Sequence, residues 1–290
     1  MTAPAMRLAG APISWGVCEV PGWGYQLPPG RVLEQMRDVG LTAAEFGPAG
    51  FLPADPAGRV ATLRRYGLSA VGGFVPVVLH EASADPGDQI DRALAEFAAA
   101  GADVLVLAAA TGGDGYDARP ELDDSAWRTL LASLDRAAAR AADRGMVVTL
   151  HPHVGTLVER PDEVRRVLDG SAIQLCLDSG HLLIGGTDPA ELARQAPERV
   201  AHVHLKDVDA GWADRVRGGS VSYAEAVAAG MYRPLGQGDV DVAGLVAALR
   251  GAGYGGWYVL EQDAVLAAGP EDGGPADDVR ASLAYLRSLS

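Results

Sequence analysis

At 290 residues, with 24 Lys plus Arg against 38 Asp plus Glu and a formal net charge of −14, the chain has the length of a single α/β barrel with a large core. The acidic balance excludes nucleic acid as a partner, because phosphate binding needs clustered Lys and Arg and the arginines here are scattered along helix-like segments. No window approaches the roughly 18 uninterrupted apolar residues of a membrane helix, and residues 1–16 lack a basic segment followed by a long apolar stretch, so a cytoplasmic protein with no membrane partner is expected.

In chain order, short apolar runs at 9–14, 43–46, 69–74, 104–108, 147–150, 173–177, 201–205 and 257–260 alternate with amphipathic, Ala- and Arg-rich segments at 31–39, 59–66, 88–99, 125–144, 161–169, 188–195, 242–250 and 276–289. Gly40, Gly67, Gly101, Gly145 and Gly253 stand between a helical segment and the following run, the position of a left-handed C-cap. Eight strand–helix alternations without a linker or low-complexity break predict a (β/α)8 barrel, with residues 1–290 as one domain. The alternative is an open doubly wound sheet, against which counts the absence of Gly-x-Gly-x-x-Gly after the first run. Cys18 and Cys176 are far apart and read as core residues, so a reduced compartment is expected and a disulfide is not.

The chemistry gathers at the ends of four runs: His151-Pro152-His153, Asp178-Ser179-Gly180-His181, His202-Val203-His204 with Lys206-Asp207, and Glu261-Gln262-Asp263. The C-terminal strand ends of a (β/α)8 barrel carry its active site. His, Asp and Glu side chains converging there suit a divalent cation. Period-two alternation puts Thr149, His151 and His153 on one side of the fifth run, His202, His204 and Lys206 on one side of the seventh, and Val259, Glu261 and Asp263 on one side of the eighth. Lys206 is the only lysine of the chain, and a compact, deprotonable amine is not interchangeable with guanidinium.

Other residues fall around the same mouth. Trp15 ends the first run and is either an apolar wall under a polyol ring or a core residue. Glu45 ends the second and is placed to bind a substrate hydroxyl or to pair with an arginine. His80, in a loop with Pro76, takes a substrate-side or lid position. His202, deeper than His204, is a candidate to orient its neighbour, and Asp207 to orient an imidazole or pair with Lys206. No Gly-rich phosphate loop implies a nucleotide cofactor. The long segment 207–241, with a helix at 222–229 and a Gly-rich stretch at 234–238, is expected to cover the active site or to form a contact in a homo-oligomer.

Several segments carry a family resemblance. Leu177-Asp178-Ser179-Gly180-His181, His202-Val203-His204-Leu205-Lys206-Asp207-Val208, Pro234-Leu235-Gly236-Gln237-Gly238-Asp239-Val240-Asp241 and Gly255-Gly256-Trp257-Tyr258-Val259-Leu260-Glu261 resemble the xylose isomerase-like TIM barrels that include sugar epimerases. Within that superfamily His151-Pro152-His153-Val154-Gly155-Thr156, with the stretch from Met231 to Asp241, is most similar to the inosose dehydratases. The similarity runs from Ala11-Pro12-Ile13-Ser14-Trp15 to Asp263.

The resemblance implies one divalent metal held by His151, Asp178, His204 and Glu261. Imidazole and carboxylate ligands suit Mn²⁺ first, then Co²⁺ or Fe²⁺, and less comfortably Mg²⁺. Sugar epimerases of this kind place a Glu where this chain has His151, so a relay between two metal-bound carboxylates lacks half its parts. Elimination instead needs a base for the proton α to a metal-polarised ketone and an acid for the departing hydroxyl. His153, His181, Lys206 and Glu261 are the candidates, with His153 and Lys206 assigned to proton transfer and His181 to a substrate oxygen. The leading expectation is a metal-dependent lyase that dehydrates a keto-inositol of the scyllo-inosose type through a metal-stabilised enediolate. A ketose or inosose isomerase or epimerase is the alternative, and a polyol-binding barrel without turnover the third reading.

Overall fold

In the computed structural model, the described residues are 6–83, 85–113, 115–269 and 274–289. Residues 1–5 lie outside them, so the expectation for the N-terminal stretch is followed only from Met6.

The order is β1 (Arg7–Gly10), a 3₁₀ turn (Pro12–Trp15), α1 (Pro29–Asp38), β2 (Ala43–Ala44), α2 (Pro56–Arg65), β3 (Ser69–Ala70), β4 (Gly72–Val77), α3 (Gly87–Ala99), β5 (Val104–Ala109), α4 (Asp124–Ala142) and β6 (Val147–Leu150). It continues with α5 (Pro161–Gly170), β7 (Gln174–Asp178), α6 (Ser179–Gly185), α7 (Pro189–Gln195), a second 3₁₀ turn (Pro197–Arg199), β8 (Val200–Leu205), β9 (Asp207–Val208), α8 (Ala210–Arg217), α9 (Tyr223–Ala228), β10 (Tyr232–Arg233), α10 (Val242–Gly251), β11 (Trp257–Leu260) and α11 (Pro275–Ser288). Local chemistry sets many of these boundaries. Proline occupies the first turn of α1, α2, α5, α7 and α11, where its missing N–H costs nothing. The five glycines expected as C-caps all take positive φ, between 66° and 93°.

The main sheet is parallel, in the order β3-β2-β1-β11-β8-β7-β6-β5-β4. Its two ends, β3 and β4, are separated only by Val71. The Val71 N–H donates to the Ala44 carbonyl at 3.0 Å, while the Val71 carbonyl accepts from the Val104 N–H at 3.2 Å. One irregular residue thus bonds to both neighbours, and the sheet closes into a (β/α)8 barrel with eight strand positions. Gly72 permits the join, since a Cβ there would come within 2.0 Å of the Val104 carbonyl oxygen.

Several elements depart from the sequence reading, three of them for a local reason. The first run ends at Gly10 because Pro12 opens a turn and has no N–H for a ladder. The third run is broken at Val71 and then extends to Val77. Helix α6 was not anticipated: the Asp178 carboxylate accepts from the Gly180 and His181 N–H groups at 2.9 and 2.8 Å, which starts a helix directly at the end of β7.

Small residues fill the barrel on the strand faces that carry the site residues. Ala9, Ala43, Val71 and Val259 form one buried group, and Val104, Val106 and Cys176 another. The larger apolar cluster lies between strands and helices. In the segment after β8, β9 and β10 pair antiparallel, and Ser222 caps α9 with its hydroxyl on the Glu225 N–H. Asp207 departs from expectation. Its carboxylate accepts from the N–H groups of Val208, Gly236, Gly238 and Val240 at 2.8–3.0 Å, so it folds its own loop rather than orienting an imidazole or pairing with Lys206. Among the described residues, no helix is long and apolar enough to cross a membrane.

Candidate active site

Strand register brings the four clusters together. Asp178 of β7 lies beside His204 of β8, and His204 beside Val259 of β11, two residues before Glu261 on the same face. His151 follows β6 directly. The His151 Nε2 is 3.2 Å from Asp178 Oδ2, and the His204 Nδ1 is 3.0 Å from Glu261 Oε2 and 3.6 Å from Asp178 Oδ2. Donor atoms of Asp178, His204 and Glu261 all lie within 4.8 Å of one another, as do those of His151, Asp178 and His181.

Both ring nitrogens of His151, Oδ2 of Asp178 and Nδ1 of His204 are buried without a hydrogen-bond partner. Buried polar atoms left unpaired are costly and rare. Unpaired atoms on three residues gathered beside the Glu261 carboxylate, one donor from each, fit a divalent cation that accepts nitrogen and oxygen ligands. Burial pushes the His151 imidazole below its usual range, although Asp178 opposes this, so it stays neutral and free to donate a lone pair. His204 and Lys206 hold the Glu261 carboxyl down to about 2 against the effect of burial.

Glu45 supports this cluster from across the barrel. Its Oε1 accepts from His202 Nε2 at 2.8 Å and His204 Nε2 at 3.0 Å. These imidazoles stand where an arginine was one of the expected partners, Glu45 lines the cavity as well, and His202 shares the carboxylate that orients His204.

A cavity of about 330 Å³ opens above, lined in part by Glu45, His151, His153, His204, Lys206, Glu261 and Asp263. Its apolar wall includes Val17, Trp23, Phe74 and Tyr116. The His153 Nδ1 lies 2.6 Å from the Val154 carbonyl. A carbonyl can only accept, so Nδ1 carries the proton and Nε2 keeps its lone pair. The ring stacks at 5.6 Å on Tyr116, and burial, with His151 and Lys206 nearby, lowers its pKa to about 3.

Burial would depress the Lys206 amine, but the carboxylates of Asp178, Asp263 and Glu261 outweigh it and push the pKa well above the usual range. The side chain is an ammonium, 2.6 Å from Asp263 Oδ1 and 3.0 Å from Glu261 Oε2.

One open reading closes and three expected positions shift. Trp15 is fully buried and donates its indole N–H to Gln35 at 2.9 Å, because the turn at Pro12 rotates it into the core; Trp23, which sequence reading passed over, lines the cavity instead. His80 does not line the cavity and lies beside Glu81 at 3.9 Å, since β4 runs on past Phe74. His181 is carried by α6 behind Lys206, with Nε2 3.2 Å from its amine, rather than facing the cavity. Cys18 is half-buried and lines the cavity, while Cys176 is in the core as expected. Asp263 and Tyr223 were not singled out as site residues, although the alternation through Glu261 points to the first.

The family model described as xylose isomerase-like TIM barrel matches residues 33–289. Inosose dehydratase of Geobacillus kaustophilus (strain HTA426) is 32% identical over 275 residues, covering 90% of this chain and 89% of that protein. The rhizopine catabolism protein MocC of Rhizobium meliloti is 32% identical over 268 residues, 89% of this chain and 82% of that protein. The solved structure of L-ribulose 3-epimerase matches with a TM-score of 0.72 at 16% identity, over 98% of this chain and 94% of that one, a likeness of fold. On sequence and architecture alike, the chain belongs to the xylose isomerase-like TIM barrel family.

Proposed function

We propose that this chain is a metal-dependent hydro-lyase that removes water from a keto-inositol of the inosose type. The observation that carries the reading is the pairing of a neutral imidazole, His153, with an ammonium, Lys206, on the wall of one cavity beside a cluster of unpaired nitrogen and oxygen donors. Similarity to an inosose dehydratase over nine-tenths of the chain supports it.

His151, Asp178, His204 and Glu261 are the proposed ligands of one divalent cation, with Mn²⁺ the preferred ion for a mixed imidazole and carboxylate set. Bound there, the cation supplies Lewis-acid polarisation of the substrate carbonyl and its neighbouring hydroxyl. His153 removes the proton α to the carbonyl through its bare Nε2. Lys206 gives a proton to the departing hydroxyl, so one C–H and one C–O bond break, a C=C bond forms and water leaves. Glu261, kept ionised, balances the ammonium between steps. Trp23 and Tyr116 present apolar faces suited to the C–H side of a polyol ring, and the cavity volume falls within the usual range for small-molecule sites.

The segment 207–241 is read as a cover that keeps bulk water from the intermediate, and the 290 residues as one catalytic domain. Two free thiols and a formal charge of −14 suit the cytoplasm. Epimerisation through two metal-bound carboxylates would need an acid at position 151. Incubating the Mn²⁺-loaded protein with a panel of keto-inositols and ketoses tests the reading: a product lighter by one water from an inosose supports it, and isomers of unchanged mass as the sole products reject it.

A further inference from the structure

A chain of buried polar atoms leads away from Lys206 into the loop that follows β8. The Lys206 ammonium donates to Asp263 Oδ1 at 2.6 Å, and the Tyr223 hydroxyl donates to Asp263 Oδ2 at 2.6 Å. The Tyr223 and Tyr232 hydroxyls are 2.8 Å apart. Because a carboxylate only accepts and a phenol has one proton, the Tyr223 proton is committed to Asp263 and Tyr232 must be the donor to Tyr223. Lys206, Tyr223, Tyr232 and Asp263 are each less than one-tenth exposed.

Tyr223 is itself held at both ends. Its backbone N–H donates to Asp117 at 3.1 Å, and its ring lies 5.2 Å from that of Tyr116. Lys206, by contrast, has competing partners. Glu261 Oε2 at 3.0 Å and Asp178 Oδ2 at 3.6 Å both belong to the donor cluster. An ammonium on a flexible four-carbon stem that settled on those oxygens would leave the cavity wall and compete for the cation ligands. Asp263 gives it a partner of its own, and a carboxylate with both oxygens occupied cannot turn away.

We propose that Tyr223 and Asp263 form a positioning pair: the Tyr223 hydroxyl fixes the Asp263 carboxylate, and that carboxylate holds the Lys206 amine on the cavity wall. The loop after β8 is therefore part of the geometry of the amine as well as a cover. The consequence for turnover rests on the lyase reading above; the consequence for the amine does not.

The sole lysine makes the test direct. Reductive methylation with formaldehyde and cyanoborohydride, followed by peptide mass spectrometry, reads the reactivity of Lys206 against the N-terminal amine in the metal-loaded protein. Lys206 is expected to be strongly protected in the parent protein. Tyr223→Phe keeps the ring and removes one hydrogen bond to a charged group, worth about a tenfold change, so Lys206 methylation should rise by about that factor. Asp263→Asn should do the same. In the double variant the two effects should not multiply, because one acts through the other. Tyr232→Phe keeps both bonds to Asp263 and removes only the more distant link to Tyr223, so it serves as the comparison and should raise the rate by no more than about twofold. With an inosose as substrate, Tyr223→Phe should lower kcat about tenfold at nearly constant KM with bound metal unchanged. Unchanged methylation in Tyr223→Phe, multiplicative effects in the double variant, or an equal response to Tyr232→Phe would each overturn the proposal. If methylation behaves as expected while no keto-inositol is turned over, the positioning pair stands and the lyase reading fails.

Discussion

A single carboxylate oxygen, Oε1 of Glu45, receives the Nε2–H groups of both His202 and His204, at 2.8 and 3.0 Å. With Nε2–H committed to Glu45, the other ring nitrogen of His204, Nδ1, is the atom directed at Asp178 and Glu261. A carboxylate that orients an imidazole ligand commonly contributes 10–100-fold to metal affinity (about 1.4–2.8 kcal/mol). Glu45→Gln should therefore weaken Mn²⁺ binding by about one to two orders of magnitude with the fold retained. Competition titration with a metal chelator measures this, and an unchanged dissociation constant would remove Glu45 from the support of His204.

The donor cluster itself should bind close to one divalent ion per chain. His204→Ala and Asp178→Ala each remove a buried ligand atom and should abolish retention of metal through gel filtration. Elemental analysis showing full occupancy in both variants would contradict the proposed ligand set.

The stem of Lys206 packs against the backbone of Gly180. The backbone of Gly180 passes so close that a Cβ on it would lie 2.7 Å from the Lys206 Cβ and 2.9 Å from Tyr232. Lys206→Arg should keep the metal and lose most turnover, because the larger, planar head cannot take the place of the amine between Asp263 and Glu261. Full activity of the Arg variant would mean that the single lysine has no chemical role. The same packing makes Gly180→Ala a stability probe, with an expected loss of about 1–3 kcal/mol in denaturant unfolding. A change near zero would show that the helix start at Gly180 can yield.

How much of this was legible in the sequence differs from residue to residue. The alternation His202, His204, Lys206 and Glu261, Asp263 is fixed by the two-residue period of a strand, so the faces could be assigned without coordinates. Glu45 could not be assigned its partners: the bond to His202 spans 157 positions and depends on barrel closure. Asp207 sits among ligand-type residues, but three of its four N–H partners come from the stretch 236–240, whose path no periodicity encodes. Trp15 reads equally as cavity wall or core, and a proline turn, invisible to an apolar-run reading, puts it in the core, while nothing in the periodicity marks Trp23. Helix α6 is not legible because its N-cap, Asp178, reads equally well as a strand-end ligand.

Cys18 lines the cavity, and burial pushes its thiol up to about 12. A raised thiol pKa keeps the group neutral at ordinary pH. Alkylation by iodoacetamide should be slow at pH 8 and rise about tenfold per pH unit through pH 10 without a plateau. A plateau near pH 9 would show an exposed, ordinary thiol. A bound keto-inositol should slow the reaction further.

The most direct measurement is a time course with scyllo-inosose in deuterium oxide, followed by mass spectrometry and ultraviolet absorption. If His153 and Lys206 carry out elimination, the product is lighter by one water and absorbs as a conjugated enol or dione, and the α-hydrogen leaves the substrate at the rate at which product forms. If the recovered carbon skeleton keeps every hydroxyl and carries deuterium at the α-carbon, the chain is an epimerase, and the account of His153 and Lys206 as an elimination pair is wrong.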